Sequence, residues 1–300
     1  MRSRRLAYGL RVSLVGIVIG GCGLIDKVRS PTEPSPATTG APPAPDAPIR
    51  YTAIGASDAN GVGGSVQCPP ALACDAGTGY VPTLARQLRG SREVTVTNLG
   101  IPAAVLSPAI EAIARQYGRD VTGNFIDREM PFVPRDATLI TISGGANDVN
   151  AVGDAMAQGA AGADATGYID RQARAFGGDY DRLVSAVRSR APGAFLIVLN
   201  VPNLAAFPYA TRYTLDQRRV LQALAVAFSR EANRQAGSGL VILDLMCDPA
   251  MYSPANFASD GFHPNDAGYL HIATRLAAVV NGASSSAAAS CASMTAVPAR

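Results

Sequence analysis

Five short apolar segments alternate with longer amphipathic segments along most of the chain, and this alternation limits the possible folds more than any other feature. The predicted strands are residues 51–55, 94–98, 138–143, 195–200 and 241–245. They are β-branched or continuously apolar, as strands buried on both faces of a parallel sheet are. The predicted helices are residues 80–88, 108–117, 168–190, 215–235 and 266–280. The pattern therefore predicts an α/β fold with a parallel five-stranded sheet covered by helices on both faces.

Residues 1–21 have the features of an export signal. They carry four arginines and no acidic residue, and their apolar segment is shorter than a membrane-spanning helix. The residues Ile19-Gly20-Gly21-Cys22 resemble a bacterial lipobox, in which the cysteine becomes the lipidated first residue of the mature protein. We therefore predict an exported lipoprotein, anchored through Cys22 to a membrane of the bacterial cell envelope. The alternatives are an ordinary signal peptide with an incidental cysteine and an uncleaved anchor.

The net charge of the chain is close to zero once this segment is removed. The full sequence has a net charge of +3, and removing the four arginines of residues 1–21 changes it to −1. Nucleic-acid binding requires a cationic surface, so we expect no nucleic-acid partner.

The rest of the chain divides into a tether, a domain and a tail. Residues 22–48 are predicted to be a tether, because residues 30–48 are rich in Pro, Ala, Ser and Thr and cannot bury a core. Residues 49–281 are predicted to be the folded domain. The Ala/Ser-rich tail at residues 282–300 is expected to be mobile except near Cys291.

Four cysteines remain after Cys22, an even number in a chain bound for an oxidising compartment. Four cysteines allow three pairings. The short loop from Cys68 to Cys74 favours a local disulfide, which leaves Cys247 to pair with Cys291. The cysteine spacings do not indicate a metal site, and two histidines are too few for a typical zinc cluster, so we expect no metal or cofactor.

Small and polar residues follow the predicted strands, at the edge of the sheet where parallel α/β folds bind ligands. Ser57 lies in a glycine-rich turn after the first strand, and Gly100 follows the second strand, where its backbone N–H can meet a substrate. Asn147 follows the third strand and offers an amide donor, whereas Asp260 and His263 follow the last strand. Singly, such residues are more often turn or cap residues, so the inference depends on their combination.

The spacing of Asp260 and His263 indicates a general base. A carboxylate three residues before a histidine can accept a hydrogen bond from one ring nitrogen and leave the other nitrogen free. The chain has one other histidine, His271, which lies within a predicted helix without an acid at comparable spacing. His263 is therefore the predicted base.

Together these segments resemble the SGNH (GDSL-type) hydrolase family over about residues 50–281. The matching residues are Gly55-x-Ser57-x-x-x-Gly61 for the first block, Gly100 for the second, Gly145-x-Asn147-Asp148 for the third and Asp260-x-x-His263 for the fifth. Ala56 departs from the pattern, because the family usually has Asp before the serine. The resemblance implies a three-layer α/β/α, flavodoxin-like fold and hydrolysis of esters.

The resemblance also implies roles for these residues in a serine esterase. Ser57 is the expected nucleophile, His263 the base that takes its proton and Asp260 the acid that orients the imidazole, with an acyl-enzyme intermediate. The expected oxyanion donors are the Ser57 and Gly100 backbone N–H groups and the Asn147 amide. Lipids, acetylated glycans and small esters all remain open as substrates.

Alternative interpretations remain at this point. The α/β-hydrolases share the order Ser, acid, His, but their nucleophile lies in Gly-x-Ser-x-Gly on a mid-sheet strand, unlike Ser57. A domain of this type could also bind glycans without catalysis, or act as an acyltransferase with the same triad. Residues 151–167, which are rich in Ala and Gly, are expected to form either a mobile cover over the cleft or a loop with a short helix.

Overall fold

The computed structural model describes residues 40–69, 74–90, 92–237 and 239–298. The predicted signal peptide, the lipidation site Cys22 and residues 22–39 of the predicted tether lie outside the described residues. Within the described part of the chain, no helix is long and apolar enough to cross a membrane.

Five parallel strands form a sheet in the order β2-β1-β3-β4-β5, which is a flavodoxin-like order. The strands are β1 Ile49–Gly55, β2 Val94–Asn98, β3 Leu139–Ser143, β4 Phe195–Leu199 and β5 Leu240–Leu243. Every residue of β3 and β4 is buried, which explains why their sequences are continuously apolar. The register pairs Gly55 with Ser143 and Ser143 with Leu199, so the loops after β1, β3 and β4 leave the sheet side by side. The predicted parallel five-stranded sheet is confirmed.

Helices cover both faces of this sheet. The α-helices among the described residues are α1 Tyr80–Leu88, α2 Pro108–Gln116, α3 Phe125–Arg128, α4 Ala146–Ala157, α5 Ala165–Arg190, α6 Leu215–Asn233 and α7 Asp266–Val280. On one face, α1 and α7 bury Leu84 and Leu276 against the sheet. On the other, α4, α5 and α6 bury Val149, Phe176 and Phe228, and the two phenyl rings stack with centroids 4.3 Å apart. The three-layer α/β/α fold is confirmed.

The segment after β3 is more helical than the sequence predicts. Helix α4 spans much of the Ala/Gly-rich segment, and α5 begins at Ala165, three residues before its predicted start. Val149 and Val152 of α4 are fully buried one turn apart, and Ala151 and Ala155 are buried beside them, so this Ala-rich helix docks through small and β-branched side chains. Of the two expectations for residues 151–167, the structure corresponds to a helix joined to a short loop.

The tail packs against the domain instead of lying free beyond it. Met294 and Val297 are buried in the same core as α6, and Gln222 of α6 exchanges hydrogen bonds with the backbone of Val297. The disulfide between Cys247 and Cys291 holds the tail to the loop after β5, and the second predicted disulfide, Cys68–Cys74, is also present. The tail, expected to be mobile except near Cys291, is thus attached through this disulfide, through the Gln222 hydrogen bonds and through the burial of Met294 and Val297.

Candidate active site

Ser57 is the second residue of the loop that follows β1. Its side chain is nearly buried, and its carbonyl accepts hydrogen bonds from the N–H groups of Asn60 and Val62, which close a tight turn. Two residues earlier, the Gly55 N–H donates to the buried carboxyl group of Glu129 at 2.8 Å. Hydrogen bonds on both sides of Ser57 therefore fix the backbone from which its hydroxyl projects.

The structure brings Ser57 together with His263 and Asp260. His263 Nε2 lies 2.9 Å from Ser57 Oγ, and His263 Nδ1 lies 2.6 Å from Asp260 Oδ2. The other carboxylate oxygen, Oδ1, accepts the backbone N–H groups of Phe262 and His263 at 2.9 and 3.0 Å. A continuous hydrogen-bond path thus runs from the hydroxyl to the carboxylate through both ring nitrogens.

These hydrogen bonds keep the Asp260 carboxylate ionised. Partial burial acts to raise its pKa, but the hydrogen bonds from His263 and from the backbone of Phe262 outweigh burial and hold the pKa below its usual value. The carboxylate is therefore negative at neutral pH, where it can orient the imidazole and stabilise a positive charge on it.

The loop that carries His263 is held from two sides. Gly63 has a φ of +95°, and a Cβ there would lie 2.8 Å from His263 Cβ and 2.6 Å from the Pro264 carbonyl oxygen. Only glycine therefore permits the loop after β1 to pass so close behind the histidine. On the other side, the ring of Phe262 meets the His263 ring edge-on, with centroids 4.9 Å apart. Asn265 then caps α7 by accepting two backbone N–H groups.

Of the three residues predicted to supply oxyanion donors, two line one cavity. Ser57 and Asn147 line the same cavity, and the described residues provide no acceptor for the Ser57 N–H. Asn147 Nδ2 donates to the Ala104 carbonyl at 2.9 Å, which orients the amide and leaves it a second hydrogen.

The third predicted donor, Gly100, is already engaged. Its N–H donates to Asn98 Oδ1 at 3.1 Å, and a Cβ at this position would overlap Ala59. Close packing thus explains the glycine. Three residues later, Ala103 has a φ of +62°, the one positive φ among the described non-glycine residues, and no described residue accepts its N–H. Nothing in the sequence marks Ala103, because alanine rarely adopts this conformation.

Two buried carboxyl groups support the loops around Ser57. Burial raises the pKa of Glu129 well above its usual value, although the Gly55 and Ile101 N–H groups act in the opposite direction. Burial likewise raises the pKa of Asp148 to about 7, while the Leu106 N–H, 2.9 Å from its Oδ1, acts to lower it. Asp148 thereby ties α4 to the loop after β2. The sequence gives no sign of the role of Glu129, which lies 72 positions from Ser57.

The second histidine also has a carboxylate partner. His271 Nε2 lies 2.6 Å from Asp248 Oδ2, and Arg275 Nη1 lies 2.6 Å from the same oxygen. No acid lies at the Asp-x-x-His spacing before His271, and its partner Asp248 is instead 23 residues earlier in the sequence. Among the described residues, no group of three or more histidine, cysteine and acidic side chains could hold a metal ion.

Both the sequence and the fold of this chain resemble those of known proteins. The model of a family described as GDSL-like Lipase/Acylhydrolase matches residues 53–270. Among solved structures, the chain is similar to the lipase Lip_vut3 from a goat rumen metagenome, at 17% identity and a TM-score of 0.53 over 77% of this chain and 96% of that one. An extracellular lipase from Streptomyces rimosus matches at 18% identity and a TM-score of 0.50, over 75% of this chain and 98% of that one.

At such low identities the two structures show a shared fold alone. No curated protein sequence gives a significant match. The family model, however, covers most of the chain and includes every residue of the hydrogen-bonded path from Ser57 to Asp260. The chain therefore belongs to the GDSL-like lipase/acylhydrolase family, and it is an ester hydrolase.

Proposed function

We propose that this hydrolase is a serine esterase in which Ser57, His263 and Asp260 form the catalytic triad and the reaction passes through an acyl-enzyme. The observation that carries the proposal is the path of two hydrogen bonds, 2.9 and 2.6 Å long, from Ser57 Oγ through the imidazole to Asp260 Oδ2. These lengths suit a nucleophile and base already within proton-transfer distance.

In the first half of the reaction, Ser57 Oγ attacks the ester carbonyl carbon while His263 Nε2 takes the hydroxyl proton. Asp260 holds the Nδ1–H tautomer and stabilises the imidazolium. His263 then gives the proton to the leaving alcohol oxygen as the tetrahedral intermediate collapses to the acyl-enzyme. In the second half, a water molecule attacks the acyl-enzyme with His263 again as base, which frees the acid and restores Ser57.

The oxyanion of each tetrahedral intermediate needs donors that are fixed before the reaction begins. We propose that the Ser57 N–H and the second amide hydrogen of Asn147 supply two of them. The Gly100 N–H, the third donor expected from the resemblance, would have to leave Asn98 Oδ1 to take part.

We further propose that the enzyme works at the bacterial cell envelope. The support is the lipobox-like sequence before Cys22 and the Pro-rich residues that follow it. Incorporation of labelled palmitate into the protein in cells, lost in Cys22→Ser, is the expected result. A protein that incorporates no label and is released without an anchor would contradict this part of the proposal alone.

Active-site labelling tests the triad directly. A fluorophosphonate probe should modify wild-type protein at Ser57, as located by peptide mass spectrometry, and Ser57→Ala should remain unlabelled. Ser189→Ala, which removes an exposed hydroxyl on α5, is the matched control and should label like wild type. Rapid quenching during hydrolysis of p-nitrophenyl acetate should trap an acetyl group on Ser57. A folded wild-type protein that neither labels nor hydrolyses any ester would end the proposal.

A further inference from the structure

Given the proposed triad, we propose that this esterase accepts acyl groups of about acetyl size, and that Met251, Phe207 and Phe262 set the limit. The proposal concerns a cavity beside Ser57, which we call the slot and which has Met251, Phe207 and Phe262 among its lining residues. The evidence is the volume of the slot, the side of Ser57 on which it lies and the contacts that hold its walls in place.

The slot is small. It has a cavity volume of about 50 Å³. This is about one fifth of the volume of the cavity between α4 and α6, which is about 250 Å³. An acetyl group and the oxyanion fill such a space, whereas each further methylene must displace a wall.

The slot lies on the acyl side of the reacting carbon. Its walls include Ser57 and Asn147, whereas the His263 ring is outside it. Because His263 Nε2 must reach the leaving oxygen, the alcohol lies on the His263 side, which is the side of the half-exposed Asp260. The acyl group, which stays attached to Ser57 after the alcohol leaves, is therefore the part of the substrate that enters the slot.

Aromatic contacts hold Phe207 and Phe262, two of the wall residues, in place. The Phe207 ring packs edge-on against Phe257 with centroids 4.7 Å apart, and the Phe262 ring packs against Tyr209 at 4.9 Å. The Tyr209 hydroxyl donates to Asn150 of α4 at 2.9 Å, in the helix that carries Asn147. The wall and the proposed oxyanion donor thus belong to one packed unit.

Met251, the third of these wall residues, is also held in place. Met251 is 6% exposed and packs in the core beneath α7. The residue after it, Tyr252, donates its hydroxyl to the Met246 carbonyl at 2.6 Å and accepts the Asn203 N–H at 3.0 Å. A longer acyl chain would have to move side chains that are fixed by these contacts, so the size limit is built into the fold.

A larger cavity elsewhere does not extend the slot. It has a volume of about 250 Å³ and lies between α4 and α6, with Met156, Tyr213 and Leu221 among its walls. It shares no lining residue with the slot, so an acyl chain on Ser57 does not gain this space. It provides a matched control instead, because Met156→Ala is the same chemical change as Met251→Ala at a cavity outside the active site.

The test measures kcat/KM for p-nitrophenyl acetate, butyrate, hexanoate and octanoate with the full-length wild-type protein. We expect acetate to give the highest value and hexanoate to be at least about tenfold lower, as for a ligand too large for a rigid apolar pocket. Met251→Ala should raise the hexanoate-to-acetate ratio about tenfold or more, and Met156→Ala should leave it at the wild-type value. Phe207→Leu, a smaller change, should shift the ratio in the same direction, and thermal unfolding of each variant shows which of them are folded.

A second series keeps the acetyl group and varies the alcohol from methyl to hexyl. Because the alcohol lies on the open side, we expect kcat/KM to change much less than in the acyl series. A preference for octanoate, a limit set by the alcohol instead of the acyl group, or folded Met251→Ala and Phe207→Leu proteins with wild-type ratios would each overturn the inference. In all three cases Ser57 would still react with the fluorophosphonate probe, whereas failure of the triad itself would abolish that reaction.

Discussion

Two histidines in this molecule contact a carboxylate at the same distance, with different surroundings. His263 uses Nδ1 to contact Asp260 at 2.6 Å, and its Nε2 lies 2.9 Å from Ser57 Oγ. His271 uses Nε2 to contact Asp248, also at 2.6 Å, so the nitrogen farther from its own main chain is already occupied.

The other neighbours also differ. Asp248 Oδ2 is shared with Arg275, and no described hydroxyl forms a hydrogen bond with His271. Asp260 Oδ2 instead contacts His263 alone among the described side chains. A histidine beside a carboxylate is therefore no sign of catalysis by itself. What matters is which ring nitrogen the carboxylate takes and whether the other one meets a nucleophile.

The largest expected effect is the difference in kcat between His263→Ala and His271→Ala. His263→Ala removes the proposed base and should lower kcat for p-nitrophenyl acetate by about 10⁴-fold or more. His271→Ala should leave kcat within about threefold and lower the melting temperature instead, because it removes one hydrogen bond to Asp248. Steady-state kinetics and thermal unfolding of both proteins test this. A large loss of kcat in folded His271→Ala would contradict the different roles that we expect for the two histidines.

Substitutions of the two acids, Asp260 and Asp248, should also have different effects on kcat and on stability. Asp260→Asn places an amide N–H against His263 Nδ1–H and favours the wrong tautomer, so we expect kcat to fall by about 10³–10⁴-fold with little loss of stability. Asp248→Asn turns an N–H toward Arg275 and His271, and should lower the free energy of unfolding by about 1–3 kcal/mol with kcat nearly unchanged. Urea unfolding beside kinetics checks both halves. Equal kinetic losses in the two variants would contradict the prediction.

Asn147→Ala tests the proposed oxyanion donor beside the proposed triad. Losing one preorganised oxyanion donor typically costs about 10²–10³-fold in kcat, so this variant should lie between the triad variants and His271→Ala. The loss should fall on kcat more than on KM, because the charge develops in the transition state. An equivalent rise in KM with unchanged kcat would show that Asn147 binds the substrate without stabilising the oxyanion.

The sequence predicted the first histidine site and missed the second for a physical reason. Asp260 and His263 lie three residues apart, so their contact is local and the spacing shows it. Asp248 and His271 meet only because the loop after β5 brings the acid against α7, which is a tertiary contact. Ser57 was predictable only in combination with Asn147 and the Asp260–His263 pair, because a lone serine after an apolar strand is more often a turn residue.

Other features could not be predicted from the sequence, for related reasons. The left-handed φ of Ala103 in the loop after β2 is not signalled by an alanine in the sequence, whereas the glycine predicted as a donor there, Gly100, packs closely against Ala59. Glu129 meets the Ser57 turn from 72 positions away. Local periodicity thus predicted the sheet and most helices, but not contacts that exist only after the layers have packed.

A third carboxyl group, that of Asp148, has no histidine partner among the described residues. Asp148 is fully buried, and burial raises its pKa from 3.8 to about 7. The folded state therefore binds the proton more tightly than the unfolded state. The resulting stabilisation is complete below about pH 4 and is lost as the pH rises through about 7.

Asp148→Asn has no such proton, so its stability relative to wild type should improve between about pH 4 and pH 8. The improvement should reach at most about 4 kcal/mol, since each pKa unit corresponds to about 1.4 kcal/mol. Urea unfolding of both proteins across this range measures it. A difference that does not change with pH would show that Asp148 titrates normally.

The smallest expected effect concerns Arg275, which distinguishes the surroundings of Asp248 from those of Asp260. Arg275→Met leaves His271 and Asp248 as a simple two-membered pair, as His263 and Asp260 are. We expect no change in kcat, because the freed pair still has no hydroxyl within reach, and a fall in melting temperature of about 2–4 °C for a loss of about 1 kcal/mol. Combining it with His271→Ala in a double-mutant cycle measures the coupling through the shared oxygen. A lower kcat at an unchanged melting temperature would mean that this second pair, despite its separate surroundings, acts on the chemistry at Ser57.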